Sequence, residues 1–163
     1  QMDAQPDWIL YSPGVIDSLF FCVRALTKPG DRILIQPPVY GPFFRAVQTF
    51  DCTLVKNPLV HTQDGWQMDF DDLERQFAGG VRMMILCNPH NPVGSVWRRE
   101  ELQRLVDLAN QYHVIIVCDE IHADFNFGEI PHRLKVLLAL VMEMALTPAR
   151  RSIWRDCASR PSS

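Results

Sequence analysis

Residues 82–94 read RMMILCNPHNPVG, an apolar run that passes directly into a polar segment with two prolines. The run from Arg82 to Cys87 has the length of a strand and does not alternate polar with apolar side chains, which is typical of a strand buried on both faces. Pro89 and Pro92 fix the backbone and remove two N–H donors, so a stiff bend follows the strand. The bend also carries three polar side chains: Asn88, His90 and Asn91. Either the bend is simply a well-formed turn, or it presents a side chain to a bound molecule.

Similar apolar runs recur along the chain and alternate with segments of helical periodicity. Strands are predicted at residues 32–35, 52–55, 82–87 and 114–118, the last of which reads VIIVC. Helices are predicted at residues 15–26, 40–50, 69–77 and 99–112. Uniformly apolar strands separated by helices indicate an α/β fold, in which a mostly parallel sheet is covered on both faces as a three-layer sandwich.

The composition is that of an ordinary globular chain of 163 residues, which is long enough for a sizeable core. The net charge of −3 gives no reason to expect nucleic acid or an anionic membrane as a partner. No apolar run reaches the ~18 residues of a membrane span, and the first residues do not read as a signal peptide. The five cysteines form no CxxC pair, so a reducing, cytoplasmic setting is the simpler interpretation.

Polar clusters follow three of the predicted strands, at residues 36–40, 88–94 and 119–122. Parallel strands place their carboxyl ends along one edge, and open α/β sheets bind ligands there. Asp119 follows VIIVC directly, where a carboxylate needs a cation or a donor. It either forms a structural contact, as a helix cap or an arginine partner, or faces a protonated ring nitrogen or a metal. DEIH alone is a weak metal signal, and we predict no metal site.

Two further segments have both a structural and a functional interpretation. Ser12-Pro13-Gly14 before the first helix is either a capped turn or the start of an anion site, because N–H groups at a helix N-terminus attract phosphate. Tyr40 either packs on the sheet or lays its ring over a planar ligand. The glycine patterns of dinucleotide and P-loop sites are both absent, which disfavours nucleotide binding on a doubly wound sheet.

Taken together, the motifs resemble one family. The motifs SPGV, PPVYGPF, CNPHNPVG, VW at residues 96–97, and DEIHADF with FGEIPH occur in the order and approximate spacing of fold-type I pyridoxal-phosphate enzymes. Within the class I/II aminotransferase superfamily, the chain most resembles the cystathionine β-lyase branch of the MalY/PatB type. The motifs extend this resemblance over about Pro6 to His132. They imply part of a pyridoxal-phosphate-binding large domain at residues 1–132 and leave residues 133–163 as an atypical tail.

The resemblance implies pyridoxal 5′-phosphate as cofactor and assigns residues to its parts. Backbone groups that would hold the phosphate are those of Gly14, Val15 and Ile16. Side chains that would contact the ring are Tyr40 on its face, Asn91 and His122 at its phenolic oxygen, and Asp119 at its nitrogen. A carboxylate at that nitrogen keeps it protonated, which strengthens the ring as an electron sink. From the residues alone, His122 reads more simply as a packed or capping side chain.

The Schiff-base lysine of the family is expected downstream of DEIHADF, in a Ser-x-Ser-Lys-like motif that this sequence does not contain. The lysines present, none of which matches a family pattern, are Lys28, Lys56 and Lys135. We therefore identify no catalytic residue and expect little or no activity from this exact chain. Residues 133–163 are interpreted as the result of a frameshift or truncation near His132, or else as a buried helix followed by a disordered tail.

Three classes of function stay open. The first is a fragment of a C–S β-lyase, which would cleave cystathionine or cysteine S-conjugates to thiol, pyruvate and ammonia. The second is an aminotransferase of the same fold, which would share every site residue named above. The third is a non-enzymatic remnant, or a subunit that pairs with an intact partner. The resemblance also implies a small amino-acid substrate and a homodimer for the intact family.

Overall fold

The computed structural model describes residues 10–123, so the expected boundary at His132 and Lys135 both lie outside the described residues. The elements in chain order are α1 (Val15–Leu26), β1 (Arg32–Ile35), α2 (Gly41–Thr49), β2 (Thr53–Lys56), β3 (Val60–Thr62), β4 (Gly65–Gln67), α3 (Phe70–Ala78), β5 (Val81–Cys87), α4 (Arg99–Gln111) and β6 (Ile115–Asp119). Each helix and strand predicted from the sequence is present, and its ends lie within one residue of the predicted ones.

Four strands form a parallel sheet in the order β2-β1-β5-β6. The predicted α/β class is therefore confirmed. The two short strands β3 and β4 pair antiparallel with each other as a separate hairpin, which the sequence analysis did not predict. This hairpin belongs to the connection that leads from β2 through α3 to β5.

The chain changes direction across the sheet between β1 and β5. From β1 it moves outward to the edge strand β2, and it then returns past β1 to add β5 and β6 on the other side. The connection from β1 through α2 to β2 crosses the sheet in one direction, and the connection from β5 through α4 to β6 crosses it in the other. Because crossovers between parallel strands are right-handed, α2 and α4 lie on opposite faces. In agreement, α1 packs on α2 while α3 packs on α4, so the sheet is the middle layer of three.

The core is centred on β5, whose side chains from Met83 to Cys87 are at most 2% exposed. Burial on both faces explains why this strand reads as a continuous apolar run. The helices contribute apolar stripes, and that of α4 consists of Leu102, Leu105, Val106, Leu108 and Ala109. Full burial of one such large side chain stabilises the fold by about 1.5–3 kcal/mol.

Carboxylates at the N-termini of α3 and α4 accept backbone N–H groups. The Asp69 side chain accepts the N–H of Asp72 at 2.9 Å and caps α3. The Glu101 side chain reaches back to the N–H of Arg98 at 2.8 Å and closes the first turn of α4. Both contacts satisfy N–H groups that would otherwise have no acceptor. Among residues 10–123, no helix is both long and apolar enough to cross a bilayer.

Candidate functional site

The three polar clusters meet at the carboxyl edge of the sheet. The N–H of Asn88 donates to the carbonyl of Asp119 at 3.0 Å and joins the segments that follow β5 and β6. The Nε2 atom of His90 lies 2.9 Å from the carbonyl oxygen of Pro38 and joins the segments that follow β5 and β1. β1 and β5 flank the point where the chain changes direction, and open α/β sheets bind ligands at such points.

The bend after β5 is closed by hydrogen bonds within itself. The N–H of Gly94 donates to the carbonyl of His90, and the N–H of His90 donates to the carbonyl of Ser95, both at 2.7 Å. The indole of Trp97, only 1% exposed, donates from Nε1 to the carbonyl of Cys87 at 3.0 Å. The bend is thus anchored to the end of β5 by a buried aromatic ring, and its conformation is held from inside the protein.

The three polar side chains of the bend have different environments. Asn88 is 2% exposed, and its Oδ1 accepts the N–H of Trp97 at 3.2 Å, so it is part of the turn. His90 is 1% exposed and is bonded to Pro38. Asn91 is half-buried, and its side-chain amide has no hydrogen-bond partner in the part of the chain that the structure describes. The bend is therefore both a well-formed turn and a support that presents one amide, that of Asn91.

Asp119 ends β6 with a half-buried carboxylate. Its Oδ1 accepts the N–H of Ile121 at 3.1 Å, which is the local structural contact that the sequence left open. The other structural interpretation, an arginine partner, has no counterpart within residues 10–123, where Asp119 makes no ion pair. Because a carboxylate has about four acceptor positions, Asp119 retains capacity for a cationic or N–H partner at this edge.

Tyr40 precedes α2 as its N-cap residue and is 40% exposed. Its ring meets the ring of Phe43 at 79°, with the centroids 6.4 Å apart, an edge-to-face contact that orients the side chain. His122 lies half-buried in the turn after β6. Both residues thus follow strands of the same edge, as the sequence predicted from their position in the chain.

The N-terminus of α1 lies at this edge as well, because α1 leads into the amino end of β1 and packs on α2 and β6. Gly14 is the N-cap residue, and no side chain caps the helix. The N–H groups of the first turn, including those of Val15 and Ile16, have no acceptor within the helix. The exposed Asp17 carboxylate in the same turn weakens the positive potential there, although solvent screens it.

Sequence reasoning did not identify Trp97 or the structural role of His90. Both belong to quoted motifs, since Trp97 follows Val96 and His90 stands between the two Asn-Pro pairs. The available signal was weak, because an aromatic or a histidine after a strand fits many structures. In the described range, no group of three or more His, Cys, Asp or Glu side chains is placed to hold a metal ion.

The sheet is doubly wound, and polar groups lie at its carboxyl edge next to the point where the strand order reverses. In α/β proteins of this class, ligands bind at that edge. The family Aminotransferase class I and II matches residues 1–146, and the chain therefore belongs to this family. The match continues past His132, where the resemblance of the motifs ends. The division of the chain at that residue stays a prediction.

Three relatives illustrate the range of the family. Cystathionine beta-lyase PatB of Bacillus subtilis (strain 168) is 43% identical over 120 residues, which are 73% of this chain and 31% of that protein. A histidinol-phosphate aminotransferase of Pectobacterium carotovorum subsp. carotovorum (strain PC1) is 33% identical over 155 residues, which are 90% of this chain and 42% of that protein. The crystal structure of cystalysin from Treponema denticola, which contains a pyridoxal 5′-phosphate cofactor, matches with a TM-score of 0.77 and 35% identity over 82% of this chain and 34% of that one. The chain spans less than half of the length of each of these proteins.

Proposed function

We propose that residues 10–123 form the cofactor-holding edge of a pyridoxal-phosphate-dependent C–S β-lyase that acts on cystathionine or related cysteine S-conjugates. The observation that carries this proposal is that two half-buried groups, the Asn91 amide and the Asp119 carboxylate, follow the neighbouring strands β5 and β6 at the carboxyl edge of the sheet. Neither has an ion-pair partner or a side-chain amide partner in the described residues. The identity to PatB supports the lyase within the family.

The side chains at this edge match the cofactor in chemical type. The uncapped N-terminus of α1 supplies N–H donors for a phosphate. Asn91 supplies an amide donor for the phenolic oxygen, and Tyr40 supplies an aromatic face for the ring. Asp119 supplies the negative charge that a protonated ring nitrogen requires. The residues present therefore fit the group.

When bound, pyridoxal phosphate supplies an electron sink for electrons released at the α-carbon of an amino acid. The contribution of Asp119 is to hold a proton at the ring nitrogen, and each pKa unit by which it favours that proton is worth ~1.4 kcal/mol. Asn91 orients the ring through its amide, and the buried Trp97 keeps the bend that carries Asn91 from moving. The half-burial of Asp119 strengthens its charge interaction relative to one in open water.

Neither lysine of the described range lies on or next to the strands β5 and β6 that lead to Asn91 and Asp119. Lys28 lies between α1 and β1, at the amino ends of the strands. Lys56 ends the edge strand β2, which β1 separates from β5, and its Nζ atom lies 6.0 Å from the ring centroid of Phe44 in α2. We propose that this chain holds the cofactor without a covalent bond and does not turn over substrate by itself.

Equilibrium binding of pyridoxal phosphate to the full chain, followed by tryptophan fluorescence, tests the cofactor assignment. Asp119→Asn keeps the shape of the side chain and removes its charge, so we expect binding at least about tenfold weaker, which corresponds to one pKa unit. Asp107→Asn, on the exposed face of α4, is the matched control and leaves affinity unchanged. Pyridoxal without its phosphate should bind more weakly than the cofactor. Equal affinities of the two Asp variants would refute the role of Asp119.

Borohydride reduction of the mixture separates covalent from non-covalent binding. We expect the cofactor to be removed on dialysis after reduction, with no added mass on the protein. A stable adduct on a lysine, located by mass spectrometry, would contradict the non-covalent proposal and identify the lysine that sequence reasoning did not find.

An aminotransferase is the second candidate, because the histidinol-phosphate aminotransferase aligns with a larger share of this chain than PatB does. A chimera of PatB that carries residues 10–123 of this chain in the matched region distinguishes the two. We expect pyruvate and ammonia to form from cystathionine faster than amino groups pass to a keto acid. Faster transamination by a chimera that holds its cofactor would favour the aminotransferase, and a folded chimera without cofactor would refute both.

A further inference from the structure

The strongest unused feature of this edge is the ring of His90, which connects two distant parts of the chain. His90 is 1% exposed, and its Nε2 atom lies 2.9 Å from the carbonyl of Pro38, a residue 52 positions earlier. Pro38 stands two residues before Tyr40, and His90 stands immediately before Asn91. One hydrogen bond thus links the two segments that carry the proposed ring contacts.

We propose that His90 is a positioning residue that fixes the separation of Tyr40 and Asn91 across the switch point of the sheet, an inference that rests on the proposed function. The ladder between β1 and β5 extends only to the pair Leu34 and Met84, and the segments after Ile35 and Cys87 leave the sheet. The bond from His90 to Pro38 continues the connection past the ends of the strands. It acts on the cofactor through the backbone, without contact between the imidazole and the ring of the cofactor.

The hydrogen bond defines the tautomer of His90. A carbonyl oxygen only accepts, so Nε2 must carry the proton that it donates to Pro38. Nδ1 is buried and has no hydrogen-bond partner in the described part of the chain, so it needs no proton. Burial lowers the pKa of His90, which agrees with a neutral ring. The ring of Trp97, edge-on with its centroid 5.6 Å away, keeps the imidazole in this orientation.

Two substitutions of His90 distinguish the effect of its hydrogen-bond donor from the effect of its ring. In His90→Phe the ring volume stays and the donor is lost, so the Pro38 carbonyl has no partner from this side chain. In His90→Gln the side-chain amide carries an N–H at a position similar to that of Nε2, so the bond to Pro38 can form again. Leu105→Ala, in the buried stripe of α4, is a control that lowers stability without touching this edge.

The experiment measures the affinity for pyridoxal phosphate and the hydrogen exchange of the segment after β1 in all three variants. We expect roughly fivefold to tenfold weaker binding in His90→Phe, the change that one lost hydrogen bond corresponds to, and near-native binding in His90→Gln and Leu105→Ala. The N–H of Phe43, bonded to the carbonyl of Tyr40 at 3.1 Å, should exchange faster in His90→Phe only. A His90→Phe variant with native affinity and native exchange would overturn the inference, as would a loss in His90→Gln equal to that in His90→Phe.

Two readouts keep this inference separate from the proposed function. If the unaltered chain binds no pyridoxal phosphate, the proposed function fails, while faster exchange in His90→Phe still supports the link between the two segments. If His90→Phe does not fold, two-bond proton–nitrogen correlation spectra of the unaltered chain decide instead. They should show His90 as the neutral ring with its proton on Nε2, and a proton on Nδ1 would overturn the inference.

Discussion

Replacement of Trp97 by phenylalanine should destabilise the whole fold, although the residue lies in a bend. The indole is 1% exposed, donates to the carbonyl of Cys87 at 3.0 Å and meets the ring of His90 edge-on. Its backbone N–H is in turn held by Asn88. Trp97→Phe keeps an aromatic ring in the site, removes the only donor of the side chain and leaves part of the indole volume empty.

The magnitude follows from these two losses. A buried carbonyl that loses its donor costs about 1–3 kcal/mol. The ring atoms that are removed, at ~0.8 kcal/mol for each buried carbon group, add about 1–2 kcal/mol. We therefore expect the free energy of unfolding to fall by about 2–5 kcal/mol, which for a chain of this size lowers Tm by about 4–20 °C.

Urea unfolding followed by far-UV circular dichroism measures this change, with an unchanged m-value as the sign that only stability has altered. Trp66→Phe is the matched control, because Trp66 on β4 is only partly buried, meets the exposed ring of His61 at 4.8 Å and makes no side-chain hydrogen bond within residues 10–123. It should cost less than about 1 kcal/mol. If Trp97→Phe lowers stability no more than Trp66→Phe does, the bend is not anchored through the indole, and the reasoning fails.

Three other predictions concern the core, the response to acid and the thiols. Leu105→Ala, at a fully buried position, should cost about 2–5 kcal/mol in the same unfolding assay, and a cost below about 1 kcal/mol would contradict the packing of α4. The hydrogen bond from the Asn57 amide holds the pKa of Asp72 below its usual value, so its stabilisation is present above about pH 4 and is lost as the pH falls further. The free energy of unfolding should therefore fall less steeply at acidic pH in Asp72→Asn than in the unaltered protein, and as steeply as before in Asp107→Asn. Burial raises the pKa of the Cys87 thiol to about 11, so iodoacetamide should modify it only after unfolding, and mass spectrometry that finds it modified in the native protein at neutral pH would contradict this.

The strands and helices were predictable because their apolar patterns are long and unambiguous. The run at β5 and the run VIIVC at β6 have no polar face, and only a sheet covered on both sides accommodates two such strands. The β3–β4 hairpin was not predicted, because each strand has three residues and neither contains a fully buried side chain. Such short segments carry too little pattern to distinguish them from a loop.

The position of the candidate site could be predicted from the sequence, whereas the roles of its individual side chains could not. That polar side chains after Ile35, Cys87 and Cys118 would meet at one edge follows from parallel strands alone. Which of Asn88 and Asn91 serves the turn does not follow from their residue type, since both are asparagines before proline. The difference arises from the backbone N–H of Trp97, which donates to the side chain of Asn88. The cofactor contacts assigned to Gly14, Val15, Ile16, Tyr40, Asn91, Asp119 and His122 stay predictions.

The strand order has a consequence during synthesis. β1 acquires one neighbour, β2, almost at once, while the neighbour on its other side, β5, begins only at Val81. At the pace of a ribosome, the ~45 residues between β1 and β5 take roughly 2–10 s to produce. Throughout that interval RILI has unsatisfied backbone groups along one side, which is the geometry that invites pairing with a second nascent chain. Slower translation of residues 36–80 should therefore increase aggregation of newly made protein.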